Sequence, residues 1–154
     1  MKKLFYLLFI VSIGNFSCGP ICACEPVTAN LYLVIRSDAG DLLNPKTVGY
    51  FPKEEIKLTL KRKNEQETQI GVRVNPPIDY GKIKLSYYQL VIENPSGLTY
   101  KDFELYLTLP NKAPALVKIA ARKDWRKLEG LSIGGINIKP EDKFPLNTLF
   151  YYTL

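Results

Sequence analysis

The chain has 154 residues, 21 basic and 15 acidic side chains for a net charge of +6 at pH 7, and no histidine. The length fits a single domain with a proper core behind a short leader, and the missing histidine rules out Ser-His-Asp and Cys-His arrangements within it. The basic residues are scattered except for Arg122 to Lys127, which is not the concentrated footprint that nucleic-acid binding needs.

Residues 1–17 read as a signal peptide. Lys2 and Lys3 precede an apolar run from Leu4 to Ile13, and the small Ser17 comes directly before Cys18. A run of this length is too short to cross a hydrocarbon core of about 30 Å. Asn15-Phe-Ser-Cys18 resembles a bacterial lipoprotein box, which makes Cys18 the expected lipidation site. Cys24, in Ile21-Cys-Ala-Cys24, is the second candidate, with Gly19-Pro20 interrupting the stretch before it. Acyl chains contributing about 0.8 kcal/mol per buried CH₂ then hold the protein on a membrane without a transmembrane helix. The alternative is an ordinary secreted protein. Residues 18–29 form the lipidated tether and residues 30–154 the domain. Because all three cysteines fall between 18 and 24, the domain carries no internal disulfide. Cys22 and Cys24 are either incidental thiols or a strained, easily reduced bridge.

From Asn30 the apolar residues recur with period two, the signature of half-buried strands. Leu31, Leu33 and Ile35 face one way, and Ser37 to Asp41 reads as a turn. A loop follows through Pro45, Gly49 and Pro52. Ile56, Leu58 and Leu60 then oppose Lys57, Thr59 and Lys61. After a polar connection at Lys63 to Glu67, Ile70, Val72 and Val74 are expected to pair back as a hairpin ended by Pro76-Pro77. Lys82 to Ile92 reads as one long strand with a bulge or bend near Gln89. Phe103 to Leu109 alternates most cleanly, Val117 to Ala121 forms another strand, and Leu131 to Ile138 is a strand whose Gly134-Gly135 shifts the inward set. Thr148 to Leu154 supplies a final edge or closing strand, and Trp125 to Leu128 a short helical turn. These elements predict an all-β, two-layer antiparallel β-sandwich of immunoglobulin-like or transthyretin-like type, with seven to eight strands.

No catalytic constellation emerges, so the chain is expected not to be an enzyme and to need no cofactor or metal. Glu54 and Glu55, read as neighbours on a strand, face opposite ways. Asp38, Asp41 and Asn44 have oxygen ligands at a spacing that suits calcium, but without the closing Glu of an EF-hand they read as turn residues. Aromatic side chains on outward faces are the candidate ligand contacts: Tyr88, Tyr106 and Trp125, the last set among cations.

Asp38-Ala-Gly-Asp-Leu-Leu-Asn-Pro45, together with the cysteine-rich start and the preceding strand, resembles a segment of small exported lipoproteins of Bacteroidota. There a D-x-x-G-x-D-L-L-[ND]-P stretch follows the first strand of a β-sandwich, and in this chain Gly40 stands directly before Asp41. The resemblance implies an address in the cell envelope, on the outer membrane and facing either the periplasm or the surface, and it implies a sandwich fold rather than an activity. The expected function is a non-enzymatic, membrane-tethered protein-interaction module with another envelope protein as partner. The alternative is a glycan-binding accessory lipoprotein using Tyr88, Tyr106 or Trp125 as stacking platforms.

Overall fold

A computed structural model describes residues 29–62, 66–80, 83–93, 95–98, 103–123, 126–141 and 148–154. Residues 1–28, with Cys18, Cys22 and Cys24, lie outside them, as does Trp125. Thirteen strand segments lie among the described residues: β1 Leu31–Ser37, β2 Gly40–Asp41, β3 Lys57–Arg62, β4 Thr68–Ile70, β5 Arg73–Asn75, β6 Ile78–Tyr80, β7 Ile83–Leu85, β8 Gln89–Ile92, β9 Phe103–Thr108, β10 Ala115–Ala121, β11 Leu128–Ile133, β12 Ile136–Ile138 and β13 Leu149–Thr153.

The strands form an all-β sandwich. One sheet runs β13-β1-β8-β5 with β2 beside β1, the other runs β12-β11-β10-β9-β3-β4, and β6-β7 is a separate hairpin. Pairing is antiparallel except between β1 and β13, which run parallel with Leu33 opposite Phe150 and Ile35 opposite Tyr152. The alternation read from sequence decides what lies between the layers. Leu31, Leu33, Ile35, Leu90 and Phe150 from the first sheet meet Leu58, Leu105, Leu107, Leu131 and Ile133 from the second, all almost fully buried. Removing such side chains from water at about 25 cal/mol per Å² is what holds together a domain without internal cross-links.

The other parity of β1 is also covered. Val34 is fully buried with Leu149 and Leu85, and Tyr32, Ile78, Tyr87 and Tyr151 pack around them. The β6-β7 hairpin therefore caps the outside of the five-stranded sheet with a small second core.

Several expectations change. The segment from Ile70 to Val74 is not one strand pairing back: β4 stays beside β3, while β5 pairs with β8 in the opposite sheet, and the chain crosses between layers at Gly71-Val72. The strand expected from Lys82 to Ile92 does bend just before Gln89, but the bend divides it in two. Its first half joins the hairpin as β7, its second half is β8, and the break at Ser86 to Tyr88 is fixed by the Tyr88 N–H donating to Asp41 Oδ2 at 2.7 Å. Gly134-Gly135 does not shift a continuous strand but turns it back into the β11-β12 hairpin. Both glycines have positive φ, 58° and 87°, the conformation that a tight two-residue hairpin turn requires. Leu128 opens β11 instead of ending a helical turn, and the helical turns among the described residues are 3-10 turns at Lys53–Glu55 and Pro95–Leu98. Glu54 and Glu55 thus stand in a turn rather than on a strand. These breaks and crossings raise the number of segments above the seven to eight expected.

The segment Asp38 to Asn44 is organised by its own side chains. Asp41, nearly buried, accepts the Leu43 N–H at 3.0 Å with Oδ1 and the Tyr88 N–H with Oδ2, and Asn44 Oδ1 accepts the Lys46 N–H at 3.0 Å. Both Asp41 oxygens are therefore engaged by the backbone, as the turn reading requires. With the turn so held, Leu42 and Leu43 enter the core despite lying outside the strands.

Candidate functional site

The outward face of the six-stranded sheet carries the polar parity of β3 and β9. Register places Thr59 opposite both Gln69 and Tyr106, and Tyr106 opposite Leu116, while Lys57 faces Thr108 and Lys61 faces Glu104. Lys57, Thr59, Lys61, Glu67, Tyr106 and Thr108 line a depression of about 490 Å³, with Pro114 from the β9-β10 connection also in its wall.

Its charges are mostly matched. The Lys61 ammonium lies 3.3 Å from the Glu67 carboxylate, and the Tyr106 hydroxyl donates to Glu104 Oε2 at 2.9 Å. This bond to Glu104, with some desolvation and the Glu104 charge, raises the phenol above its ordinary range, so the hydroxyl stays protonated as a donor. Lys57 has no ion-pair partner among the described residues. The depression offers one ring, two threonine hydroxyls and a free ammonium. Such groups bind by stacking and hydrogen bonding.

Of the candidate residues named from sequence, Tyr106 stands in this depression. Tyr88 does not join it: its ring packs against the core between the layers, and its backbone N–H is committed to Asp41. Tyr87 and Tyr88 do diverge as consecutive residues of an extended segment should, Tyr87 joining the outer cluster and Tyr88 the inner one. Trp125 and Cys18 lie outside the described residues. Sequence reasoning missed Glu67, Thr108 and Pro114. The alternation placed Lys57, Thr59 and Lys61 on one face, but which strands flank β3 is a long-range fact that the local pattern does not carry.

A second aromatic patch went unnoticed in the sequence. The Tyr87 and Tyr151 rings meet edge to face, 5.8 Å apart and 85° between planes, and the Arg36 guanidinium lies 5.0 Å from the Tyr151 ring centre. Arg36 Nε also donates to Thr153 Oγ1 at 3.0 Å. Burial, helped by the charge of Glu141, raises the Tyr151 phenol above its ordinary range. This patch ties β1, β13 and the segment before β8 together. It is packing before it is a binding surface.

The all-β sandwich with its outward polar depression defines the class of this protein by architecture alone. No protein-family model matches the chain, and no curated protein or solved structure matches it either.

Proposed function

We propose that this protein is a lipid-tethered, non-enzymatic module of the bacterial cell envelope that binds another envelope protein through the outer face of its six-stranded sheet. The tether reading rests on Cys18 directly after the apolar leader, and on the likeness of Asp38 to Pro45 to exported lipoproteins of Bacteroidota. The binding reading is carried by Tyr106, an outward aromatic ring set among Lys57, Thr59 and Thr108 in an open depression. Tyrosine supplies amphipathic contact area with few rotors to immobilise, which suits a partner surface.

Crosslinking of the full chain in its own membranes, followed by purification, tests this. The expected result is a recurrent protein adduct that Tyr106→Ala and Lys57→Glu reduce. Recovery of no partner, or of the same adduct from both variants, refutes it. Labelled palmitate incorporation, lost in Cys18→Ala and kept in Cys24→Ala, tests the anchor.

The depression itself favours a second reading. A concave site with one ring, hydroxyls and charged hydrogen-bonding groups suits a sugar, as expected of a glycan-binding accessory lipoprotein. A glycan array probed with the full chain distinguishes the two, since binding that disappears in Tyr106→Ala selects the sugar.

A further inference from the structure

The basic cluster Arg122 to Lys127 lies at the end of the sandwich where the chain enters the domain. β1 and β13 run parallel, with Tyr32 beside Leu149 at their start and Arg36 beside Thr153 at their finish. Their finish lies at the β9-β10 connection, because Tyr152 and Leu154 share a recess with Leu109, Lys112 and Ala113. β10 leaves that connection for the opposite end, so the β10-β11 hairpin stands where β1 and β13 begin. A second tie agrees. β12 runs back toward that hairpin, and just beyond β12 the Glu141 N–H donates to Leu149 O at 2.8 Å. Ala29, the first described residue, is therefore at the basic end, in a layer about 10 Å from that of the hairpin. We propose, on the basis of the lipid anchor at Cys18, that this end docks on the anionic phospholipid surface of the anchoring membrane through Arg122, Lys123, Arg126 and Lys127.

All four side chains are exposed. In sequence they are interrupted by a single acid, Asp124, which with Trp125 lies outside the described residues. The Arg122 N–H donates to Lys127 O at 3.1 Å, so two cationic residues stand across the closing bond of the hairpin. Like charges so placed repel. Arg122, Lys123 and Lys127 have no ion-pair partner among the described residues. Glu93 at the same end is matched by Arg73 at 3.1 Å, and Glu129 and Glu141 are fewer than the four cations. A layer of phosphates relieves the repulsion that these acids leave. The far end is mixed in sign, since Asp38 follows β1 and Glu54 and Glu55 precede β3.

Each Lys or Arg close to an anionic membrane favours association roughly fivefold, within a screening length of about 8 Å. Ala29 is eleven residues beyond Cys18, so even a fully extended tether spans at most about 40 Å. Such a leash keeps the hairpin at high effective concentration over the headgroups, and individually weak contacts then suffice to hold one orientation. The sheets stand on end, and the Tyr106 face looks sideways along the membrane, open to a neighbouring envelope protein.

Lysine reactivity tests this. The full chain, purified from its own membranes, is inserted into the outer leaflet of preformed vesicles of phosphatidylcholine, alone or mixed with phosphatidylglycerol. It is then acetylated with a membrane-impermeant reagent and mapped by mass spectrometry of peptides. Lys123 and Lys127 should react about fivefold more slowly on the anionic vesicles, while Lys57 and Lys112, toward the other end, react alike on both. The protection should vanish at about 1 M salt, where the screening length is about 3 Å, and in Arg122→Glu/Arg126→Glu. Both arginines are exposed, so that variant keeps the fold. Equal reactivity of Lys123 and Lys127 on the two vesicles overturns the docking, as does protection that survives salt or the charge reversals. Protection shared by Lys57 and Lys112 overturns the orientation. Flotation with phosphatidylcholine alone reads the anchor separately. A chain that floats there but shows no protection on anionic vesicles keeps its anchor and loses the docked end, whereas a chain that does not float loses both.

Discussion

Replacing Asp41 by alanine isolates the contact that joins the first turn to the break in the long central segment. The side chain is 8% exposed, and its two oxygens accept the Leu43 and Tyr88 N–H groups at 3.0 and 2.7 Å. Alanine leaves two backbone donors without acceptors in a nearly dry setting. Each such donor costs about 1–3 kcal/mol, so the loss is about 2–6 kcal/mol, a large share of the roughly 5–15 kcal/mol that keeps a domain folded. With a urea slope of about 1–3 kcal/mol per M, the unfolding midpoint should fall by about 2 M. Asp41→Asn keeps one carbonyl oxygen but turns an NH₂ group toward the other donor, so it should lose about half as much. Urea denaturation followed by aromatic fluorescence reads the midpoint, and amide exchange reads the Tyr88 N–H directly. A change below about 0.5 kcal/mol in Asp41→Ala, or an unaltered Tyr88 exchange rate, would show that the carboxylate does not anchor the break.

Gly135→Ala should destabilise by about 1–2 kcal/mol through backbone strain alone, because its φ is 87° while nothing lies within 4 Å of an added Cβ. Gly71→Ala, equally uncrowded and without a positive φ, should be neutral or stabilise by up to about 1 kcal/mol, and thermal melts of the pair separate strain from crowding. Phe150→Ala, at a fully buried ring in β13, should lose about 3–5 kcal/mol by urea denaturation. In an alkaline titration followed by tyrosinate absorbance, Glu104→Gln should bring the Tyr106 step to lower pH. Because the folded phenol titrates above its unfolded value near 10, whatever the Glu104 bond contributes is present below that value and lost as pH rises through the folded one. An unchanged titration would remove Glu104 as the cause.

Much of the sandwich was legible because alternation is a local signal. Leu31, Leu33, Ile35, Leu58, Leu105 and Leu107 were placed inward by period two alone, and all are buried. What escaped was set by partners distant in sequence. Nothing near Tyr88 announces that its N–H is needed by Asp41, 47 residues earlier, so a break between two strands was read as a bulge or bend within one. Gly71 gives no sign that the next strand enters the other layer. Gly134-Gly135 did carry the turn signal, but the apolar residues on either side made a continuous strand look equally good. The site was half legible for the same reason: Tyr106 and the lysines of β3 were assigned their face, while their adjacency awaited the order of the strands.

The parallel pairing of β1 with β13 has a mechanical meaning. A pull that draws Leu31 and Thr153 apart runs along both strands in opposite senses, so the bonds of that pair are loaded together in shear rather than opened one by one like a zip. β1 is also gripped along its other margin by β8 and β2. A molecule held at one end and tugged at the other would therefore resist rupture far more stubbornly than its equilibrium stability suggests.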